Sequence, residues 1–303
     1  MSFILLGILN SQASVSAGPG GYFGGGYGGG RITAVDKFAF PSDSRTTLGT
    51  GLSSGVYILG AMANSGVAGY FGGGSPTTAT VDKFAFPSDS RTTLGTGLSV
   101  ARWGLAGMAN SGVAGYFGGG SEYTATVDKF AFPSDSRTTL GTGLSSGINE
   151  IGAMANSGVA GYFGGGYGSD GGPTATVDKF AFPSDSRTTL GTGLSVARSG
   201  LGAMANSGVA GYFGGGYGGG RVTTVDKFAF PSDSRTTLGT GLSSGRSGLA
   251  GMANSGVAGY FGGGFPATAT VDKFAFPSDS RTTLGTGLSV ARSGLAGMAD
   301  NEV

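Results

Sequence analysis

Apolar and polar positions along this chain follow one pattern that recurs six times. Its first marker, Gly-Tyr-Phe-Gly-Gly-Gly, begins at Gly21, Gly69, Gly115, Gly161, Gly211 and Gly259, at spacings of 48, 46, 46, 50 and 48 residues. Its second, Val-Asp-Lys-Phe-Ala-Phe-Pro-Ser-Asp-Ser, begins at Val35, Val81, Val127, Val177, Val225 and Val271. Within one copy, period-two alternation and turn residues predict four short strands. In the third copy these cover residues 104–109, 113–118, 124–132 and 137–144. Asn110-Ser111-Gly112 turns the first strand into the second, and Pro133-Ser134-Asp135-Ser136 turns the third into the fourth. On the third strand Asp128, Phe130 and Phe132 share one face, and Val127, Lys129 and Ala131 the other. Helix signals are missing throughout.

The segment between the two markers has 8, 6, 6, 10, 8 and 6 residues in the successive copies, always an even number. One added residue would flip every following side chain to the wrong face, whereas two, one per arm, keep the register. The parity therefore predicts a hairpin between the second and third strands. Four antiparallel strands per copy predict an all-β, closed six-bladed β-propeller. The chain enters at a second strand near Gly21 and ends with a spare first strand over residues 293–299. The C-terminal strand is thus expected to complete the blade that the N-terminus opens, which hides the edges of the ring. The propeller would occupy residues 19–303 and an apolar arm residues 1–18.

Composition qualifies this picture in three ways. Glycine supplies 66 of 303 residues and proline 10, near the level of low-complexity chains, but recurring Phe, Tyr, Val and Leu give each copy apolar surface to bury. Charge is balanced at 18 Lys plus Arg against 17 Asp plus Glu, which carries no electrostatic footprint for nucleic acid. Cys and His are both absent, which removes thiolate and imidazole metal ligands and every Ser-His or Cys-His pairing. No cofactor is expected. In the arm, Phe3, Ile4, Leu5, Leu6, Ile8 and Leu9 form a run too short to span a bilayer and with no basic residue ahead of it. It reads as a retained attachment or oligomerisation arm that packs on other subunits of a larger assembly.

Residues 197–216, Ala-Arg-Ser-Gly-Leu-Gly-Ala-Met-Ala-Asn-Ser-Gly-Val-Ala-Gly-Tyr-Phe-Gly-Gly-Gly, resemble the first half of a kelch repeat, and Val225-Asp226-Lys227-Phe228 through Pro231 its second half. The Trp that the kelch family carries on the fourth strand is missing, so the blades are kelch-like. The copper-binding oxidases of that group rely on His and a Tyr-Cys pair, neither of which this chain can supply. The longer unit Val-Asp-Lys-Phe-Ala-Phe-Pro-Ser-Asp-Ser-Arg-Thr-Thr-Leu-Gly-Thr-Gly-Leu resembles repeats of virion structural and tail-fibre-type proteins of tailed bacteriophages, including cyanophages. The opening residues 1–12 resemble the apolar leader of such proteins. The resemblance implies a non-enzymatic virion protein, displayed as a tail or fibre adhesin or a decoration module. A secreted cellular adhesin or filament subunit is the alternative.

Candidate chemistry is sparse. Sialidase-type propellers carry an Asp-box on the turn between third and fourth strands, where this chain has Ser-Asp-Ser-Arg-Thr-Thr-Leu. Arg91 stands where that box has Gly and Leu94 where it has an aromatic, and an Asp repeated in every blade, as at Asp43, Asp89 and Asp135, suits a turn cap better than a catalyst. The Gly-Gly-Gly runs lack the Lys-Ser or Lys-Thr and the helix start of a phosphate loop, so tight strand packing explains them better. Asp36-Lys37 and its copies point to opposite faces, as expected of a solvated or inter-blade ion pair, and Phe38 and Phe40 are core residues.

The copies differ in two places: the hairpin between second and third strands, and the link from the fourth strand to the next blade. Alternating strand directions bring both to the same end of the ring. Either that face recognises a partner, or recent duplication left it less constrained than the tight turns. The candidate partner-binding residues are Tyr27, Arg31, Tyr57, Arg102, Trp103, Glu122, Tyr123, Asn149, Glu150, Tyr167, Asp170, Tyr217, Arg221, Arg246 and Phe265. Exposed aromatics beside hydrogen-bonding groups suit a host-surface glycan or protein.

Overall fold

The structure, a computed structural model, describes residues 19–301. The arm expected over residues 1–18 lies outside the described residues. The rest forms six four-stranded antiparallel sheets, each in the order inner, second, third and outer strand. In blade three these are Ala106–Asn110, Ala114–Gly118, Val127–Ala131 and Ser136–Thr139. The inner strands touch one another around a central axis, with Ala296–Ala299 of blade one closing against Gly60–Asn64 of blade two. Among the described residues no helix is long and apolar enough to cross a membrane.

The expected hairpin register holds in all six blades. Gly24 faces Val35, Gly72 faces Val81, Gly118 faces Val127, Gly164 faces Val177, Gly214 faces Val225 and Gly262 faces Val271, whatever the loop length. Closure also follows the expectation: Ala296–Ala299 pairs antiparallel with Gly20–Gly24, Met298 opposite Tyr22. The strands are shorter than alternation suggested. Gly104 precedes the inner strand because its φ of +73° turns the chain there, and the outer strand stops at Thr139, before Leu140 through Leu144. A short, polar, exposed Ser-Arg-Thr-Thr edge resists pairing with other chains.

Glycine at the ends of the second strand is a socket for the neighbouring blade. A Cβ on Gly21 would lie 2.3 Å from Sδ of Met252 in blade six, and one on Gly24 would lie 2.6 Å from the Phe71 ring of blade two. Between these sockets the Tyr22 ring stacks on Phe86 of blade two, with centroids 5.2 Å apart, while Phe23 meets Phe38 of its own sheet edge-on. The strand packs a blade on each face, so it is buried along its length. The next two glycines of the run are also closely packed, a Cβ on Gly25 falling 2.8 Å from the Val56 carbonyl oxygen, and they have a second task. Gly25 and Gly26, at φ +67° and +111°, also turn the backbone out of the strand.

Two polar clasps join successive blades. In the first, the Tyr22 hydroxyl donates to Asp89 Oδ1 at 2.8 Å and Lys37 Nζ donates to Asp89 Oδ2 at 2.8 Å, with Lys37 above the Tyr22 ring. Asp89 lies on the turn of blade two at φ +56°, a conformation that Asp tolerates better than most residues. The arrangement recurs around the ring until Tyr260 and Lys273 reach Asp43 of blade one. Each turn Asp is thus a tie between blades as well as a turn residue. In the second clasp, Asp36 points the opposite way from Lys37: its Oδ2 accepts from the Ser289 amide and hydroxyl at 2.9 Å and pairs with Arg292 at 3.1 Å, while Oδ1 accepts from Thr47.

Both clasps tie stability to pH. Burial and the Asp partner push the phenols of Tyr22, Tyr70, Tyr116, Tyr162, Tyr212 and Tyr260 far above their ordinary value. Burial by itself would raise Asp36, Asp128 and Asp226, but amide and hydroxyl donors and a buried Arg outweigh it and hold these carboxyls below the usual range. The phenols contribute stability that is complete below about pH 10, the unfolded value, and is lost at higher pH. The carboxyls contribute stability that is complete above about pH 4 and is lost as pH falls further. In an alkaline titration followed by tyrosinate absorbance, these six phenols should ionise together with unfolding. A gradual ionisation with native circular dichroism retained would contradict the clasp.

Candidate functional site

The variable hairpins and links meet at one end of the axis, where they enclose a funnel of about 700 Å³. Its floor is the backbone of the inner strands, whose second residues are Ala or Gly. The strands run so close there that a Cβ on Gly251 would sit 2.1 Å from the Ala203 carbonyl oxygen. Below this waist a second cavity of about 50 Å³ runs toward the Asn-Ser-Gly turns.

Above the floor, a loop of backbone circles the axis. Ile58, Gly104, Glu150, Gly200, Gly248 and Gly294 occupy the same place in successive blades, all with φ between +50° and +73°. Gly104 N donates to Ile58 O at 2.8 Å, Gly200 N to Glu150 O at 2.8 Å, Gly248 N to Gly200 O at 2.6 Å and Gly294 N to Gly248 O at 2.7 Å, and Ile58 N donates to Gly294 O. Left-handed backbone is unfavourable for residues with a Cβ, so glycine at four of these places follows from the geometry.

The rim is aromatic, and the structure shows an order there that is invisible in the linear sequence. In each blade one link residue lies beside the first hairpin residue after Gly-Gly-Gly. The pairs are Ser293 with Tyr27, Tyr57 with Ser75, Asn149 with Tyr167, Ser199 with Tyr217 and Ser247 with Phe265. In blade three, Ser121 N donates to Trp103 O at 2.7 Å. Every pair holds one aromatic and one small or polar residue. Blades two and three place the aromatic on the link, and the other four place it on the hairpin. Each blade thereby delivers one ring to the rim, although the position that supplies it changes. Tyr27 and Tyr57 meet at 5.5 Å, and Tyr123, an additional ring from the blade-three hairpin, lies 6.5 Å from Tyr167.

Of the residues expected at this face, Tyr27, Tyr57, Trp103, Tyr123, Asn149, Glu150, Tyr167, Tyr217 and Phe265 line the funnel. Trp103 is half-buried and lines the funnel. Arg31, Glu122, Asp170 and Arg221 are exposed on the hairpins but outside the lining, and Arg221 lies over the Phe265 ring at 4.4 Å. Two expectations fail. Arg102 and Arg246 are 1% exposed and pair with the fully buried Asp128 and Asp272 at 3.0 and 2.9 Å. Like Arg198 and Arg292, they hold the link against the next strand and present nothing to a partner.

Ile58 and the serines Ser199, Ser247 and Ser293 also line the funnel and were not among the residues expected there. Their available signal was the recurrence of Ser-Gly-Leu in the links, at 199–201, 247–249 and 293–295. Among the described residues, no group of three or more Asp, Glu, His or Cys is gathered in a way that would hold a metal ion. No protein-family model matches the chain, and no curated protein matches it.

Proposed function

We propose that this protein is a recognition module without catalytic activity, built of kelch-like blades and carried on a bacteriophage virion as a tail-fibre-type adhesin or decoration module, and that it binds a host-surface glycan in the axial funnel. The observation that carries the binding reading is the exchange between link and hairpin. One aromatic per blade is kept while the position that supplies it changes, which is unexpected if these loops merely drift. An aromatic face stacks on the apolar face of a sugar ring, and the neighbouring serines, Asn149 and Glu150 supply hydrogen bonds to hydroxyls. A cavity of about 700 Å³ is in the size range of small-ligand sites, enough for a short oligosaccharide. In this reading Phe3, Ile4, Leu5, Leu6, Ile8 and Leu9 attach the propeller to other virion subunits.

The test is adsorption of the purified protein to host-surface polysaccharide, compared with the Trp103→Ala and Tyr167→Ala variants. Each variant should weaken binding more than about tenfold, since buried aromatic anchors dominate recognition energies. Unchanged adsorption in both variants would remove the funnel from the function, and sustained release of reducing ends from the polysaccharide would replace the module with an enzyme.

A further inference from the structure

The funnel breaks its symmetry in charge at one residue. Glu150 is the one Asp, Glu, Lys or Arg among its lining residues, so no basic side chain of the lining neutralises it. Glu150 occupies a place in the backbone loop that is glycine in four of the six blades, at φ +50°, a conformation that favours glycine. Oε2 accepts a hydrogen bond from Ser199 Oγ at 3.2 Å, on the neighbouring blade, and lies 3.6 Å from where a Cβ on Gly200 would project. The glutamate therefore reaches along the funnel wall over the glycine beside it.

We propose that the funnel selects a ligand carrying an organic ammonium group, and within the glycan reading above, on which this inference rests, an amino sugar. A lone carboxylate in a funnel lined by aromatic residues suits such a cation twice over. The carboxylate pairs with the positive charge, and the negative faces of Tyr, Trp and Phe rings attract it at short range. A metal ion fits poorly, because a hard cation takes six or more oxygen ligands and Glu150 stands without a second carboxylate in the lining. A neutral sugar would leave the carboxylate without a charged partner. An anionic sugar would meet repulsion.

The blades themselves supply the test variant. Glu150→Gly restores the residue that blades three, five, six and one carry, so it removes the charge while easing the backbone, and Glu150→Gln removes the charge while keeping the shape. Calorimetry at pH 6 and low salt would compare a β-1,4-glucosamine tetramer, its fully N-acetylated counterpart and tetramethylammonium chloride. The wild-type protein should bind the glucosamine tetramer at least tenfold tighter than the acetylated one, a preference that falls with added salt. Both variants should lose it, and Glu150→Gly should melt no lower than wild type. Equal affinity for the two tetramers, or a preference that survives Glu150→Gly, would overturn the inference while leaving glycan recognition standing. Glu150-dependent binding of tetramethylammonium with neither tetramer bound would leave the cation site standing and remove the glycan. No binding of any of the three probes would overturn the cation site.

Discussion

A chain ending at Gly294 is expected to lose the native fold, and a synthetic peptide of residues 295–303 added in trans should restore it. The missing segment supplies the whole inner strand of blade one, and Leu295, Ala296, Met298 and Ala299 are all buried. Without it, Gly20–Gly24 becomes an unpaired edge open to other chains. The loss reaches blade two as well, since Met298 fills the socket at Gly69 there. Two large side chains, Leu295 and Met298, account for about 1.5–3 kcal/mol each if fully buried, before the ladder hydrogen bonds are counted. Asp300 adds a tie of its own: Oδ1 accepts from Gly66 N at 2.8 Å, where Asn64, Asn110, Asn156 and Asn206 make the same bond elsewhere in the ring. Size-exclusion chromatography and near-ultraviolet circular dichroism read the outcome. A truncated chain that elutes in the same assembly state as the full-length chain, with native dichroism, would show that five complete blades hold the ring without closure.

Arg198→Ala should lower stability by about 3–5 kcal/mol, the range for removing one partner of a buried ion pair. Arg198 and Asp226 are both fully buried, 2.9 Å apart, and Nη2 of Arg198 also donates to the Phe213 carbonyl at 3.1 Å. The alanine variant takes the buried guanidinium from Asp226, which keeps Ser195, Thr237 and the partly exposed Arg235 at 3.7 Å, and leaves an empty space beside it. The ring contains a natural control for this change, because Val56 and Ile148 occupy the arginine's place in two links and are themselves buried. There Asp82 and Asp178 do without the buried Arg, each holding a Ser amide and hydroxyl and a Thr hydroxyl, with a partly exposed Arg at 3.5 and 3.6 Å. Arg198→Ile fills the space in the same manner and should cost clearly less than Arg198→Ala. Urea denaturation at neutral pH separates the two. Equal losses would mean that the charge alone matters and that filling the space contributes nothing.

The arginines of the links take places that their local sequence does not specify. Arg102 and Trp103 are adjacent in a variable link, and both were natural candidates for an exposed face. One goes inward to Asp128 and the other lines the funnel. Nothing in the local sequence separates them, because the carboxylate that claims Arg102 arrives from a different strand. Asp36 and Lys37 were easier: adjacent residues on a strand point to opposite faces, so their divergence was readable even though their partners, Arg292 and Asp89, were not. The aromatic exchange was also hidden. Tyr57 and Ser75 belong to different segments, and their complementarity emerges only when the bridge between them is seen.

Strand alternation, the even loop lengths and the spare C-terminal strand are relations along the chain, and from them followed the number of blades, the hairpin register and the closure of the ring. They suffice because a one-residue slip would exchange the two faces of each strand and drive larger side chains against the neighbours that Gly21 and Gly24 accommodate, leaving a single register that packs. Tertiary structure alone decided which glycines are sockets and which are turns, which arginines are buried, and that one aromatic per blade reaches a common funnel around Glu150. Each of those outcomes depends on what a neighbouring blade places within a few ångströms. Repeats so alike in sequence give no local sign of it.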